Sequence, residues 1–308
     1  MVEAYIFGIF PRSEPLIEAT RKNPEKAKEM LPKETKKIIE LQKDAGLSYI
    51  SDPLLGWDDM LRPYSLSFKG IKVGGLNRFF ETNTFYRVPI VKGKVRGDGK
   101  TTLNSLYLEL LKETKKPLSV SLPEPLTFAL MCKDESYGKF ESLASDIAVA
   151  LSREAKSLKD HFDLLILKAP YLSFIKERDL FSLSADLVKK VRKAFGKEVI
   201  LHTYFKDVSD RLDLLLESPA DGLGIDTFNT PMTSLKEFSF KSITVSMIDG
   251  YNTKMETSRS IKERVMWAER NLRFKKLRVS NNLDLEYVPY SFAVRKVKTL
   301  SKAIGGKR

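Results

Sequence analysis

Short apolar runs alternate with longer amphipathic stretches from one end of the chain to the other, and this period leaves few folds open. Apolar runs begin near residues 4, 47, 118, 162, 199, 222, 242 and 277. Most are separated by segments whose apolar residues recur three and four apart, the spacing of one helix face. Strands separated by helices pair in parallel through right-handed crossovers. Eight such units in 308 residues predict an α/β fold of the closed (β/α)8 barrel type, one domain over residues 1–308.

The elements follow from the pattern. Strands are expected at Ala4–Phe10, Leu47–Ile50, Leu118–Leu122, Phe162–Leu167, Val199–Thr203, Gly222–Asp226, Ser242–Ile248 and Leu277–Ser280. Glu14–Ala45 reads as two helical stretches joined near Pro32, with Gly46 as the terminating residue. Further helices are expected at Thr102–Thr114, Phe140–Leu158, Asp179–Phe195 (stopped by Gly196), Val208–Glu217, Ser260–Leu272 and Tyr290–Ile304. Residues 65–95 break the alternation. They carry aromatic and β-branched residues, paired glycines and no helical period, and predict an inserted hairpin over one barrel mouth.

Composition narrows the functional classes. Hydrophobic content of 42% and charged content of 30% fit a globular protein, and no apolar run is long enough to span a bilayer. Met1–Phe10 lacks a basic start and a cleavage site and reads as a strand, so a cytoplasmic protein without membrane contact is expected. One cysteine, Cys132, excludes an internal disulfide framework and any site needing two thiolates from this chain. The net charge of +13 admits nucleic acid or an acidic ligand. Its lysines are scattered among acids without a basic–aromatic motif, which argues for a solvated surface over nucleic acid. Neither a G-x-G-x-x-G after a strand nor a P-loop is present.

In such a barrel, chemistry collects past the C-terminal ends of the strands. The polar residues there are the candidate ligand-binding set: Arg12, Trp57, Asp58, Asp59, His202, Asp226, Asp249 and Asn252. Each has a structural alternative. Asp226 and Asp249 suit loop caps as well as a ligand, Trp57 suits a core as well as a stacking platform, and a lone His202 on an apolar strand suits a hydrogen-bonded core histidine. No catalytic residue is assigned. A zinc site would need about three ligands, and His202, His161 and Cys132 do not converge in this pattern, so no metal is expected.

Several segments resemble the cobalamin-independent methionine synthase family. Gly8-Ile9-Phe10-Pro11-Arg12 is similar to its G-S-F-P opening, and Leu122–Phe128 to its G-P-L-T-F turn. Lys197–Asn229 resembles the strand, helix and D-G-L strand of its N-terminal half, and Ile248–Asn252 its N-G-R-N turn. Leu277–Leu285 with Tyr290-Ser291-Phe292-Ala293 resembles its closing strand and helix. The resemblance implies a barrel of the methionine synthase and uroporphyrinogen decarboxylase type, matching the family's N-terminal, non-zinc half as a free-standing chain.

In the family's catalytic half, one His, two Cys and one Glu hold zinc. The resemblance places these at His202, Tyr204, near Leu283 and near Asp226, so both thiolates are missing. The aspartate that binds homocysteine corresponds to Lys168, and the late histidine to Tyr251. Zinc acts there by lowering the thiol pKa of homocysteine, and this chain lacks that set. The resemblance therefore implies an accessory barrel partnered by a separate zinc-bearing barrel, with no resident cofactor and a methyl-pterin of folate type as a candidate anionic ligand. The alternatives are an independent methyltransferase of the same superfamily and, from charge alone, a nucleic-acid-binding protein.

Overall fold

A computed structural model describes residues 2–305; Met1 and residues 306–308 lie outside the description. The strands are β1 (Glu3–Ala4), β2 (Lys69–Arg78), β3 (Phe85–Arg96), β4 (Ser119–Pro123), β5 (Lys133–Asp134), β6 (Leu164–Lys168), β7 (Glu198–Thr203), β8 (Gly222–Ile225), β9 (Ser239–Ile248) and β10 (Arg273–Asn281). The helices are α1 (Glu14–Lys22), α2 (Pro24–Asp44), α3 (Arg62–Ser67), α4 (Thr101–Ser105), α5 (Leu108–Lys112), α6 (Pro125–Leu130), α7 (Phe140–Leu158), α8 (Arg178–Phe195), α9 (Leu212–Leu216), α10 (Ser258–Asn271) and α11 (Tyr290–Ile304).

Seven strands form one parallel sheet in the order β1-β10-β9-β8-β7-β6-β4. The sheet is curled. Leu164, Ile166 and Ile200, near one end, share a buried cluster with Tyr5 and Phe7 at the other. The alternate residues Leu165, Leu167, Val199 and Leu201 face the main core with the helices. This is the period-two division expected of strands buried on both faces. Residues 48–50 lie between the two sheet ends. Ser48 N–H donates to the Ala4 carbonyl at 2.7 Å, Ile50 N–H donates to that of Pro117 at 2.9 Å, and Ser119 N–H returns to Ile50 at 2.9 Å.

The inserted hairpin is present as β2 and β3, paired antiparallel, with β5 added in parallel to β3. Its register slips between Lys69 and Ile71, where Gly70 takes φ +84°, a bulge that only glycine accommodates without strain.

Five expectations need correction. The helical break falls at Asn23-Pro24, not near Pro32. The Asn23 side chain accepts from Lys26 N–H at 3.1 Å and Pro24 opens the next helix, a stronger boundary than the internal Pro32, which the helix carries through. The first strand ends at Ala4, because side chains take over its hydrogen bonds beyond Tyr5: Asn281 binds both backbone groups of Phe7, and Asp284 accepts from Ile9 N–H. The strand expected at Leu47–Ile50 is reduced to one bridge, Ile50 to Leu118. Thr102–Thr114 is two short helices, α4 and α5. Val208–Glu217 is a 3-10 turn followed by α9. Gly46 and Gly196 both stand in the left-handed region where the sequence placed helix ends.

Asn23→Ala removes the cap of α2 while leaving the core untouched. It is expected to lower stability by about 1 kcal/mol, with Asn23→Asp close to neutral, as read from urea unfolding midpoints.

Candidate functional site

A buried charge pair lies at the C-terminal ends of the strands. Lys168, the last residue of β6, places its ammonium 2.6 Å from Asp284 Oδ1, with both side chains at most 3% exposed. The same oxygen accepts from Ile9 N–H at 2.7 Å, while Oδ2 has no hydrogen-bond partner. His202 stands opposite Lys168 in the β6–β7 register. It is fully buried, its ring centroid 4.3 Å from that of Phe7, with Nε2 3.0 Å from the Asn282 carbonyl and Nδ1 unpartnered. Burial holds its pKa down to about 3, despite the Asn282 bond that favours the proton, so the imidazole is neutral near pH 7.

The hairpin covers this centre. At its tip, Phe80 meets Tyr171, Phe174 and Phe205 at centroid distances of 5.0, 4.9 and 5.2 Å. Glu81 pairs with Lys206 at 2.8 Å, and the Tyr251 hydroxyl donates to the Glu81 carbonyl at 3.2 Å. Phe80 and Phe205 both hold positive φ, +51° and +86°, which is strained for an aromatic residue. Between the hairpin and the charge pair about 10 Å³ remains, among Asp59, Thr84, Lys168, Asp284, Glu286 and Tyr287, room for about one water; a separate cavity of about 360 Å³ lies on the other side of the tip, among Glu81, Phe174, Phe205, Lys206, Asn229 and Leu283.

An open cleft of about 820 Å³ lies beside the covered centre, between the turn after β1, the Trp57-Asp58 loop and the start of α11. Arg12 builds its wall. Its Nε donates to the Leu55 carbonyl at 2.7 Å, and one Nη donates to the Trp57 carbonyl at 3.0 Å and to Asp58 at 3.1 Å. Tyr287 and Tyr290 add aromatic surface, and Trp57, largely buried, backs the wall with an unpartnered indole N–H. Glu286 faces both this cleft and the sealed centre. Desolvation, reinforced by Asp284, pushes its carboxyl up to about 8, so it carries a proton at neutral pH. Asp59 lies behind the wall, its Oδ1 bound by the N–H groups of Leu61 and Arg62 at 2.9 and 2.7 Å; burial raises its pKa.

The remaining candidates tie loops together. Asn282 donates to Asp249 at 3.0 Å and to Asp226 at 3.3 Å. Asp226 also accepts from Asn229 at 2.7 Å and from Phe228 N–H at 3.0 Å. Asp249 accepts from Tyr251 N–H and from the Asn252 amide, and burial raises its pKa. The geometry thus gathers Arg12, Trp57 and Asp58 at the cleft, joins Asp226, Asp249 and Asn252 in a loop network, and seals His202 beneath the hairpin. Sequence reasoning missed Glu286. Its one signal was an acid set between apolar residues in Leu285-Glu286-Tyr287-Val288.

The zinc set that the resemblance calls for does not fit these residues. At the two positions to which the resemblance assigns the thiolates, Tyr204 and Leu283 are buried and offer no metal ligand. Cys132 lies just past α6, where its thiol donates to the Phe128 carbonyl at 3.2 Å and burial raises its pKa. Among the described residues no three His, Cys, Asp or Glu side chains are placed to share a metal ion, and none of the helices is long and apolar enough to cross a membrane.

Residues 69–273 match the family model described as the N-terminal domain of cobalamin-independent synthase. Methionine synthase of Sulfolobus acidocaldarius is 22% identical over 311 residues, covering 96% of this chain and 89% of that protein. A 5-methyltetrahydropteroyltriglutamate–homocysteine methyltransferase of Histophilus somni is 25% identical over 187 residues, covering 58% of this chain and 24% of that much longer protein. In fold, the chain is similar to a B12-independent methionine synthase from Shewanella sp. W3-18-1, solved with selenomethionine, at a TM-score of 0.80 and 18% identity, covering 98% and 96% of the two chains. A methyltransferase from Methanosarcina mazei follows at a TM-score of 0.63 and 12% identity, covering 98% and 92%.

Two outcomes follow from the buried charges. Lys168→Met leaves Asp284 uncompensated and is expected to cost about 3–5 kcal/mol in urea unfolding, partly recovered in Lys168→Met/Asp284→Asn. Glu286 has a folded pKa raised from 4.5 to about 8, so its ionisation opposes folding, a penalty absent below about pH 4.5 and complete above about pH 8. Glu286→Gln should therefore melt higher than the parent at pH 9, with the gap closing as pH falls to 4.5.

Proposed function

The chain belongs to the family of the N-terminal domain of cobalamin-independent methionine synthase, and from that premise we propose that it is an accessory barrel in methionine biosynthesis. It holds a methyl-pterin for a separate zinc-bearing barrel, which transfers the methyl group to homocysteine. In this reading residues 48–50 are the eighth stave, and their bonds to Ala4 and Pro117 support a closed (β/α)8 barrel as one domain over 1–308.

The observation that carries the reading is a cleft equipped for a pterin in a chain without the thiolates for zinc. A pterin presents a flat ring, a donor edge of amide N–H and amino group, and a tail of carboxylates. Tyr287 and Tyr290 offer faces for the ring, Glu286 and the second oxygen of Asp58 offer acceptors for the donor edge, and the Nη of Arg12 that is not bound to Trp57 and Asp58 is left for a carboxylate of the tail. The name of the Histophilus somni relative supports a pteroyltriglutamate in this setting. The sealed mouth leaves the cleft as the larger space at the strand ends, and the missing thiolates leave methyl transfer to a partner.

A second reading, an independent methyltransferase, draws on the Sulfolobus acidocaldarius relative, which bears the name methionine synthase at nearly this chain's length. It requires sulfur activation without zinc-bound thiolates. Methyl transfer to homocysteine by the purified chain alone would establish it and overturn the accessory role.

Calorimetric titration with 5-methyltetrahydropteroyltriglutamate should give one site per chain. If the ionised Glu286 accepts the donor edge, affinity rises with pH up to about 8, the pKa that burial gives this carboxyl. Glu286→Gln then weakens binding about 10- to 100-fold at pH 8.5, the worth of hydrogen bonds to a charged group, and flattens the pH profile. Binding that ignores both pH and Glu286 would remove the pterin from this cleft. Tagged chain recovered from its native host should bring with it a barrel carrying the His-x-Cys zinc motif, and repeated failure to recover one would count against the partnership.

A further inference from the structure

The opposite end of the sheet, where the strands begin, carries a second cleft of about 550 Å³ that the accessory role does not use. Six basic side chains line it: Arg192, Lys193 and Lys197 around the end of α8, Lys241 at the start of β9, and Lys275 and Lys276 at the start of β10. Two carboxylates, Asp221 and Glu198, line it with them, a formal excess of four positive charges.

Both carboxylates are already committed. Asp221, largely buried, takes a two-pronged contact from Arg192 at 2.7 and 3.0 Å, Lys241 at 2.7 Å and Val199 N–H at 3.2 Å. These cations hold its carboxyl down to about 2 against the opposing effect of burial. Glu198 takes Lys276 at 3.1 Å and the fully buried Arg278 at 2.6 and 2.8 Å. The acids thus act as struts that orient Arg192, Lys241 and Lys276 around the cleft and have little capacity left for other cations. Lys193 and Lys275 are exposed and form no ion pair among the described residues. With nothing bound, these like charges repel one another, and a polyanion relieves that repulsion.

We propose that this cleft binds a small polyanion of the oligophosphate class. The donor chemistry selects among anions. The fork of Arg192 is spent on Asp221, so the groups left to a ligand are ammonium ions on flexible stems. Point charges of that kind suit phosphate oxygens spread along a chain, whereas a planar carboxylate is best held by a free guanidinium fork. Lys197 is met in part by Asp163 at 3.6 Å, and the excess of three positive charges that remains matches a triphosphate-sized ligand, which the volume admits. The site lies at the far end of the strands from Arg12 and Glu286, so it stands whether or not the pterin reading holds.

The test is calorimetry of the full chain with inorganic tripolyphosphate at low salt, repeated with citrate and at rising salt. One saturable site is expected, with affinity falling steeply as salt rises. Lys193→Ala/Lys275→Ala removes two cations that support no ion pair in the fold and should weaken binding about tenfold or more. Lys254→Ala/Lys262→Ala, at the other end of the molecule, should change it less than twofold. Non-saturating uptake, an equal loss in both double variants, or no loss in the first overturns the site. Citrate binding as tight as tripolyphosphate overturns the phosphate assignment. Thermal melts of each variant without ligand show that the fold is kept; should Lys193→Ala/Lys275→Ala melt early, Lys193→Gln and Lys275→Gln singly must each still weaken binding.

Discussion

The architecture turns on the contact between Lys168 and Asp284. A charge pair this deeply buried is tolerable only when its geometry is good and its neighbours supply hydrogen bonds. While its Oδ2 stays unpartnered, Asp284 meets them through one oxygen, which accepts from the Lys168 ammonium and from Ile9 N–H. That oxygen links the turn after the first strand, the end of β6 and the loop after β10. Gly8, at φ +81°, is needed where it stands, since any side chain there would collide with the Asp284 carboxylate. The early end of β1 has the same origin. Once Asn281 and Asp284 satisfy its backbone, the ladder has no further role there.

This pair also settles what the mouth can do. The resemblance places a lysine where the family's catalytic half holds the ammonium of its substrate with an aspartate. The charge reversal alone would leave an unpaired cation in an apolar setting. Asp284 answers it from within the chain, and the hairpin seals the result. Polar side chains at the strand ends serve cohesion around Lys168 and Asp284, and face solvent at the Arg12–Glu286 cleft and beside the hairpin tip. His202 illustrates the shift. It is a residue type that can bind a metal, yet it lies against Phe7 with one nitrogen on a carbonyl and the other without a partner.

Much of the fold was legible because the features that fix it are local and repeated. The alternation of β and α segments, the glycines closing α2 and α8, and the change of period at the hairpin all read directly from the chain. Pro32 misled because a proline signals a helix end only when no better boundary is near, and Asn23-Pro24 is better. The candidate site was legible only in part. Arg12, Trp57 and Asp58 could be placed at the strand ends from spacing. Their meeting with Glu286, more than two hundred residues away, depends on how the first and last strands approach, which spacing does not encode. The roles of Asp226 and Asp249 were undecidable in sequence, because a carboxylate that ties a loop and one that binds a ligand occupy the same kind of position. Asn282, reaching both, is what fastens them into the loop network here.

Phe80 and Phe205 carry unfavourable backbone angles on the two sides of one aromatic contact. The Phe205 backbone is also held from below, where its N–H donates to Asp226 Oδ2 at 3.3 Å. The ring that receives the hairpin tip is therefore presented by the same carboxylate that Asn282 ties to Asp249, and the clasp at the tip is moored to the loop network and not to the sheet alone.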